Sequence, residues 1–227
     1  MTFSIVAHCP RTGQFGVALS SSSPAVAARC AHARAGVGAV ATQNVTDPRL
    51  GPLGLDLLAR GLGADDTVHA LTAAAGAQAA WRQVSVVNPG GAAAFSGARA
   101  LGRNGHVIAG HAVAAGNMLA SDGVLPAMLA VFAADPAAPL AERLLRALEA
   151  ALGEGGEEGP VHSAGLLVVA DQCWPLVDLR VDWVDHAPIA GLRDLWTLWQ
   201  PQMHAYVTRA LDPAAAPGYG VPGDDRI

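Results

Sequence analysis

Short apolar runs closed by proline, glycine or asparagine alternate along this chain with longer stretches of helical period. The first run, Thr2 to His8, is followed by the turn signal Pro10-Arg11-Thr12-Gly13 and a returning run, Phe15 to Ser20, which together predict a β-hairpin. In an antiparallel pair centred on that turn, partner numbers sum to about 23 or 24, so Thr2 is expected opposite Ser21 or Ser22. The serine run Ser20 to Ser23 would then lie beside the start of the chain.

Beyond Pro24 an alanine-rich segment to Arg34 predicts a short helix, and Gly36 to Gln43 a buried strand ending in the polar residues Thr42, Gln43 and Asn44. Leu53 to Arg60 and Asp65 to Ala75 read as a helix pair, the second with acidic residues in its first turn and Gly76 at its end. Arg82 to Val87 and Ala92 to Phe95 form a second hairpin, and Gly110 to Ala115 a further strand closed by Gly116-Asn117. Leu125 to Ala133 and Leu140 to Leu152 are helical by period, and Gly153 to Pro160 reads as a flexible solvated loop. Two more strands, Ala164 to Ala170 and Leu176 to Val181, precede one last amphipathic helix from Ile189 to Leu211. Tight hairpins with helices grouped between them favour an α+β fold with mainly antiparallel sheets over a doubly wound parallel one. One domain over 1–212 is expected, followed by a flexible C-terminal tail, 213–227.

Composition narrows the partners. The chain has 14 basic residues, all of them Arg, and a net charge of −5, so it lacks the clustered cations that bind nucleic acid. No stretch has the ~20 uninterrupted apolar residues of a membrane span, and the first residues lack the pattern of a secretory signal. Three cysteines, Cys9, Cys30 and Cys173, form no CxxC pair, which with the missing signal points to the cytoplasm. His8, Cys9, Cys30 and His32 do not have the spacing of a zinc knuckle, and no metal or cofactor is expected. With 52% apolar residues and only 15% charged ones, an uncovered apolar patch and hence a homodimer are predicted.

Three stretches are familiar together: Thr2-Phe3-Ser4-Ile5-Val6-Ala7 with its return Gly16-Val17-Ala18, Arg34-Ala35-Gly36-Val37-Gly38-Ala39-Val40-Ala41-Thr42-Gln43, and Ala115-Gly116-Asn117-Met118-Leu119. With Gly51-Pro52, Arg82-Gln83-Val84, Pro139 to Leu144 and Asp178 to Asp182, they resemble, over nearly the whole chain, the family known as domain of unknown function 1028. The resemblance implies the αββα four-layer sandwich of the N-terminal nucleophile (Ntn) hydrolases.

On that fold Thr2 is the sharpest candidate. Removal of Met1 would put a hydroxyl and an α-amine of ordinary pKa ~7.7 to 8.0 on one residue, a nucleophile and its base. Thr is equally suited to begin a strand. Asn117, after Gly116 at a strand end, could donate to an oxyanion, although Gly-Asn also makes a plain turn. Ser21, Ser22, Gln43, Asn44, His162 and Ser163 are the candidates for holding a small-molecule substrate, with capping the competing role for Asn44 and a structural one for His162. Trp196 and Trp199, three apart, suit a core or a dimer seam. Two functions follow: an amidohydrolase in which Thr2 attacks a small amide, lactam or ureido carbonyl, or a non-catalytic dimeric small-molecule-binding or accessory protein. The second is favoured by the lack of lysine, which Ntn enzymes of the proteasome type use near the nucleophile.

Overall fold

The computed structural model describes residues 1–224, so the last three residues of the expected tail lie outside the described residues. The opening hairpin pairs β1 (Thr2–Cys9) with β2 (Gln14–Ser21), Phe3 facing Ser20, so partner numbers sum to 23 as the turn predicts. Strand β1 is buried along its whole length and its alternation feeds two cores. Phe3, Ile5 and Ala7 point to a helical layer, whereas Val6 joins Phe15, Val17 and Leu19 between two sheets.

The Ala-rich segment after Pro24 divides into α1 (Val26–Cys30) and a strand, β3 (Ala31–Arg34), which pairs with β4 (Gly38–Gln43). Helices α2 (Leu50–Ala59) and α3 (Ala64–Ala75) follow, then a 3-10 turn over Gly76–Trp81 and the hairpin of β5 (Gln83–Asn88) with β6 (Gly91–Ser96). Next come β7 (Gly105–Ala109) and β8 (Ala112–Asn117), so Gly116 and Asn117 belong to the strand rather than to a closing turn. Strands β3 and β7 escape the hydrophobic pattern because both lie at sheet edges and bury little.

Helices α4 (Val124–Ala134) and α5 (Leu140–Gly153) precede β9 (Ser163–Val169) and β10 (Val177–Val181). The final helix is two, α6 (Pro188–Trp199) and α7 (Met203–Leu211), because Pro201 has no N–H to continue the ladder. Past α7, Arg209 donates to the carbonyls of Pro217 and Gly218, which folds this part of the tail back on the helix.

The strands form a six-stranded sheet in the order β10-β9-β2-β1-β8-β7 and a four-stranded sheet β3-β4-β5-β6, antiparallel throughout. Their inner faces pack together; α4, α5 and α6 cover the larger sheet, and α2 and α3 the smaller. This is the αββα sandwich expected. The α5 layer lies close: a β-carbon at Gly16 would come within 2.6 Å of Leu144 Cδ1. Trp196 is core, its indole N–H donating to Glu142 at 2.8 Å, and Trp199 donates to the Leu176 carbonyl. No helix among the described residues is long and apolar enough to cross a membrane.

Candidate functional site

One row of residues crosses four strands at the end of the larger sheet. Thr2 pairs with Asn117 of β8, Ser21 pairs with Ser163 of β9, and the hairpin register puts Ser21 beside Thr2. Alternation turns all four toward the smaller sheet, the side of Val6, Val17, Val113 and Val169. Cross-strand partners have β-carbons about 4.5–5.5 Å apart, so the Thr2 hydroxyl and the Asn117 amide face one space. Thr2 Oγ1 lies 3.3 Å from Ser21 Oγ, and both hydroxyls donate to the carbonyl oxygen of Met1. Ser21 also meets the Ser23 hydroxyl at 2.9 Å and accepts from the Ser23 N–H. Ser163 is used otherwise: its hydroxyl donates to the Ser23 carbonyl at 2.6 Å and accepts from Val26 N–H, fixing the turn after β2.

The smaller sheet answers with a ladder of amides. Gln43 and Gln83 are partners across β4 and β5, and Gln83 faces Ser96 on β6. Gln83 Oε1 accepts from Asn117 Nδ2 at 2.9 Å and from Gln43 Nε2 at 3.2 Å, while its own amide donates to the carbonyl of Gly116 at 2.8 Å. Ser4 closes the ladder by donating to Gln43 Oε1 at 2.6 Å. Gln43 and Asn117 are thus brought together through Gln83, which belongs to the family stretch Arg82-Gln83-Val84 but was not among the expected site residues.

Asn44 stands apart. It adopts φ 56°, its amide donates to the carbonyl of Trp81, and its oxygen accepts from the N–H of Leu101. Both ends of the side chain therefore brace loops. His162 lies at the rim, stacked on Trp183 at 4.4 Å, with Nδ1 2.9 Å from the carbonyl of Val184.

The expected solvated loop, 153–160, is not all solvated. Glu157 is only 4% exposed, and neither carboxylate oxygen has a hydrogen-bond partner. An isolated antiparallel bridge to Leu119, just past the end of β8, draws Glu157 inward. Burial pushes its carboxyl up to about 7, against the opposing pull of the chain's N-terminal ammonium, of Ser22 and of His162. Ser22 approaches through its hydroxyl and N–H without completing a hydrogen bond of normal geometry. Glu157 lines a cavity of about 330 Å³ with Leu152, Gly159, Val161, Asp185 and His186. Met1 reaches its wall: a β-carbon at Gly159 would lie 3.2 Å from Met1 Cε. A smaller cavity of about 110 Å³, lined by Gln14, Trp174 and His204, sits at the far end of β2 from Ser21 and has no connection to this row.

Over residues 2–192 the sequence matches the family of unknown function DUF1028. The chain belongs to that family. A crystal structure of a DUF1028 protein from Silicibacter pomeroyi is 33% identical, superposes with a TM-score of 0.80, and covers 87% of this chain and 88% of its own. More remote are the Thiobacillus denitrificans protein BPH in complex with epoxomicin (17% identity, TM-score 0.42, 76% of this chain and all of that one) and the ancestral β-subunit Anbu of Yersinia bercovieri (12%, 0.40, 90% and 97%). No curated protein matches the chain.

In this DUF1028 chain, besides Gln83, sequence reasoning missed Glu157. Its surroundings, Gly155-Gly156-Glu157-Glu158-Gly159, have the composition of a surface loop. The one available signal was the glycines: Gly156 and Gly159 leave room for Phe3 and Met1 to pack against the backbone.

Proposed function

We propose that this protein is an Ntn-type amidohydrolase of a small amide, lactam or ureido compound, with Thr2 as nucleophile once Met1 is removed. The observation that carries the reading is the pair of hydroxyls, Thr2 and Ser21, converging on the carbonyl oxygen of Met1, with Asn117 as the cross-strand neighbour of Thr2. Loss of Met1 clears that position for a substrate carbonyl. Thr2 Oγ1 then attacks the carbonyl carbon while its proton passes to the Thr2 α-amine. The C–N bond breaks as that proton moves to the leaving nitrogen. Water cleaves the resulting Thr2 ester, its hydroxyl going to the acyl group and its proton back to Oγ1. Asn117 Nδ2 spends one N–H on Gln83, and the other serves the oxyanion.

Intact mass tests the first requirement: protein from its own host should lack one methionine. Thr2→Ala with Met1 removed should abolish hydrolysis and leave the fold intact, because it deletes the nucleophile and keeps the strand. Asn117→Ala should leave a slow enzyme, about 100 to 1,000-fold down in rate. Turnover at the normal rate in Thr2→Ala rules the mechanism out.

The second reading, a non-catalytic dimeric binding protein, is favoured by the amide ladder, since Gln43, Gln83 and Asn117 already satisfy one another. Retention of Met1 in the native host would decide for it. In either role we place the protein in the cytoplasm as a homodimer: all three cysteines are unpaired, and Leu198 and Leu211 are exposed on α6 and α7. A monomer by light scattering at micromolar concentration would overturn the dimer.

A further inference from the structure

We infer that Glu157 is a substrate-recognition residue, and that the compound hydrolysed carries a protonated amine on the acyl side of its scissile bond. This rests on the hydrolase reading for the reaction, and on the geometry of Met1 for the ligand. Met1 joins the two ends of the site. Its carbonyl is held by Thr2 and Ser21, its ammonium lies within electrostatic range of the Glu157 carboxylate, and its side chain rests against Gly159 in the wall of the cavity that Glu157 lines. An ammonium one carbon from a carbonyl is the arrangement of an aminoacyl group. When Met1 leaves, its ammonium leaves with it. A carboxylate that is 4% exposed and accepts no hydrogen bond then faces the emptied space with its acceptor sites unfilled.

The new Thr2 α-amine must be neutral to take the nucleophile's proton, so it does not serve as that cation. His162 acts on Glu157 only at range, its ring stacked on Trp183 and its Nδ1 held at the carbonyl of Val184, and among the described residues the other titratable side chains of the cavity wall are Asp185 and His186. Among the described residues no arginine lines the cavity. An anionic acyl group would therefore meet two carboxylates, and a neutral one would leave Glu157 unsatisfied. A protonated amine gives it charge-assisted hydrogen bonds, which form only when the ligand is seated.

The test uses protein verified by intact mass to begin at Thr2. Calorimetry compares L-methioninamide with N-acetyl-L-methioninamide, and hydrolysis compares the matching 4-nitroanilides. The charged member should bind about 10- to 100-fold more tightly than the acetylated one, the range of one hydrogen bond to a charged group. In Glu157→Gln that ratio should fall to near one through loss of affinity for the charged probe alone; Glu157→Asp, which keeps the charge, should retain part of it. Equal binding of the two probes by the unaltered protein, binding of neither, or a preference that survives in Glu157→Gln overturns the inference. Charge-dependent binding through Glu157 without hydrolysis of either anilide would instead remove the hydrolase reading and keep Glu157 as the recognition residue. Hydrolysis of both at equal efficiency would do the reverse.

Discussion

A buried carboxylate without partners has a consequence that any unfolding experiment can read. Glu157 loses its hydration on folding and gains no hydrogen bond in exchange, so its ionised form is disfavoured in the native state. Raising a carboxyl from its ordinary 4.5 to about 7 corresponds to roughly 3 kcal/mol. Between these two values the folded protein keeps a proton that the unfolded chain has already released. Its stability therefore falls as pH rises through that window and levels off above about 7. Charges facing Glu157 come from the N-terminal ammonium and His162, with Asp185 and His186 on the same cavity, and these are common to the unaltered protein and Glu157→Gln. In the difference between the two their direct titrations largely cancel. Urea unfolding of both proteins, with the same N-terminus, should show Glu157→Gln gaining on the parent by up to roughly 3 kcal/mol between pH 4.5 and 8, with unchanged m-values. Parallel stability curves across that range would mean that Glu157 is hydrated or paired in solution, and its burial as described would be wrong.

Gln83→Leu should lower stability by about 3 kcal/mol or more at constant m-value, because it strands the buried amides of Gln43 and Asn117 together with the carbonyl of Gly116. A loss under 1 kcal/mol would show the ladder to be dispensable. Gly16→Ala should cost about 1–3 kcal/mol by driving a methyl into Leu144 on α5, and a neutral effect by thermal unfolding would mean that this layer yields. Glu142 titrates in the opposite sense to Glu157. Burial pushes its carboxyl up, but hydrogen bonds from Arg193, Trp196 and Arg146 prevail and hold it below its ordinary value. Its contribution is thus present above the unfolded carboxyl pKa and lost as pH falls through the lower folded one. Glu142→Gln should flatten the acid limb of the stability curve, and an unchanged limb would refute this.

What the sequence determined by itself is local, or follows from local symmetry. The turn Pro10 to Gly13 sets a hairpin whose register follows by counting, and that register puts Thr2 beside Ser21. The polar ends of apolar strands mark Gln43 and Asn117, because polar groups interrupt a buried run only where something answers them. Tertiary structure alone decided the rest. Gln83 becomes the hub only when the two sheets stack and put its amide between Gln43 and Asn117. Asn44, which looks the same as Gln43 in sequence, enters a left-handed turn and braces loops instead. Edge strands β3 and β7 carry no core pattern, since pairing on one side is enough to hold them. Glu157 is the extreme case. A charged residue among glycines has every local reason to stay in water, and only the bridge to Leu119 and the packing of Phe3 and Met1 on Gly156 and Gly159 take it inside. Burial depends on which distant segments share a layer, and a linear pattern does not contain that.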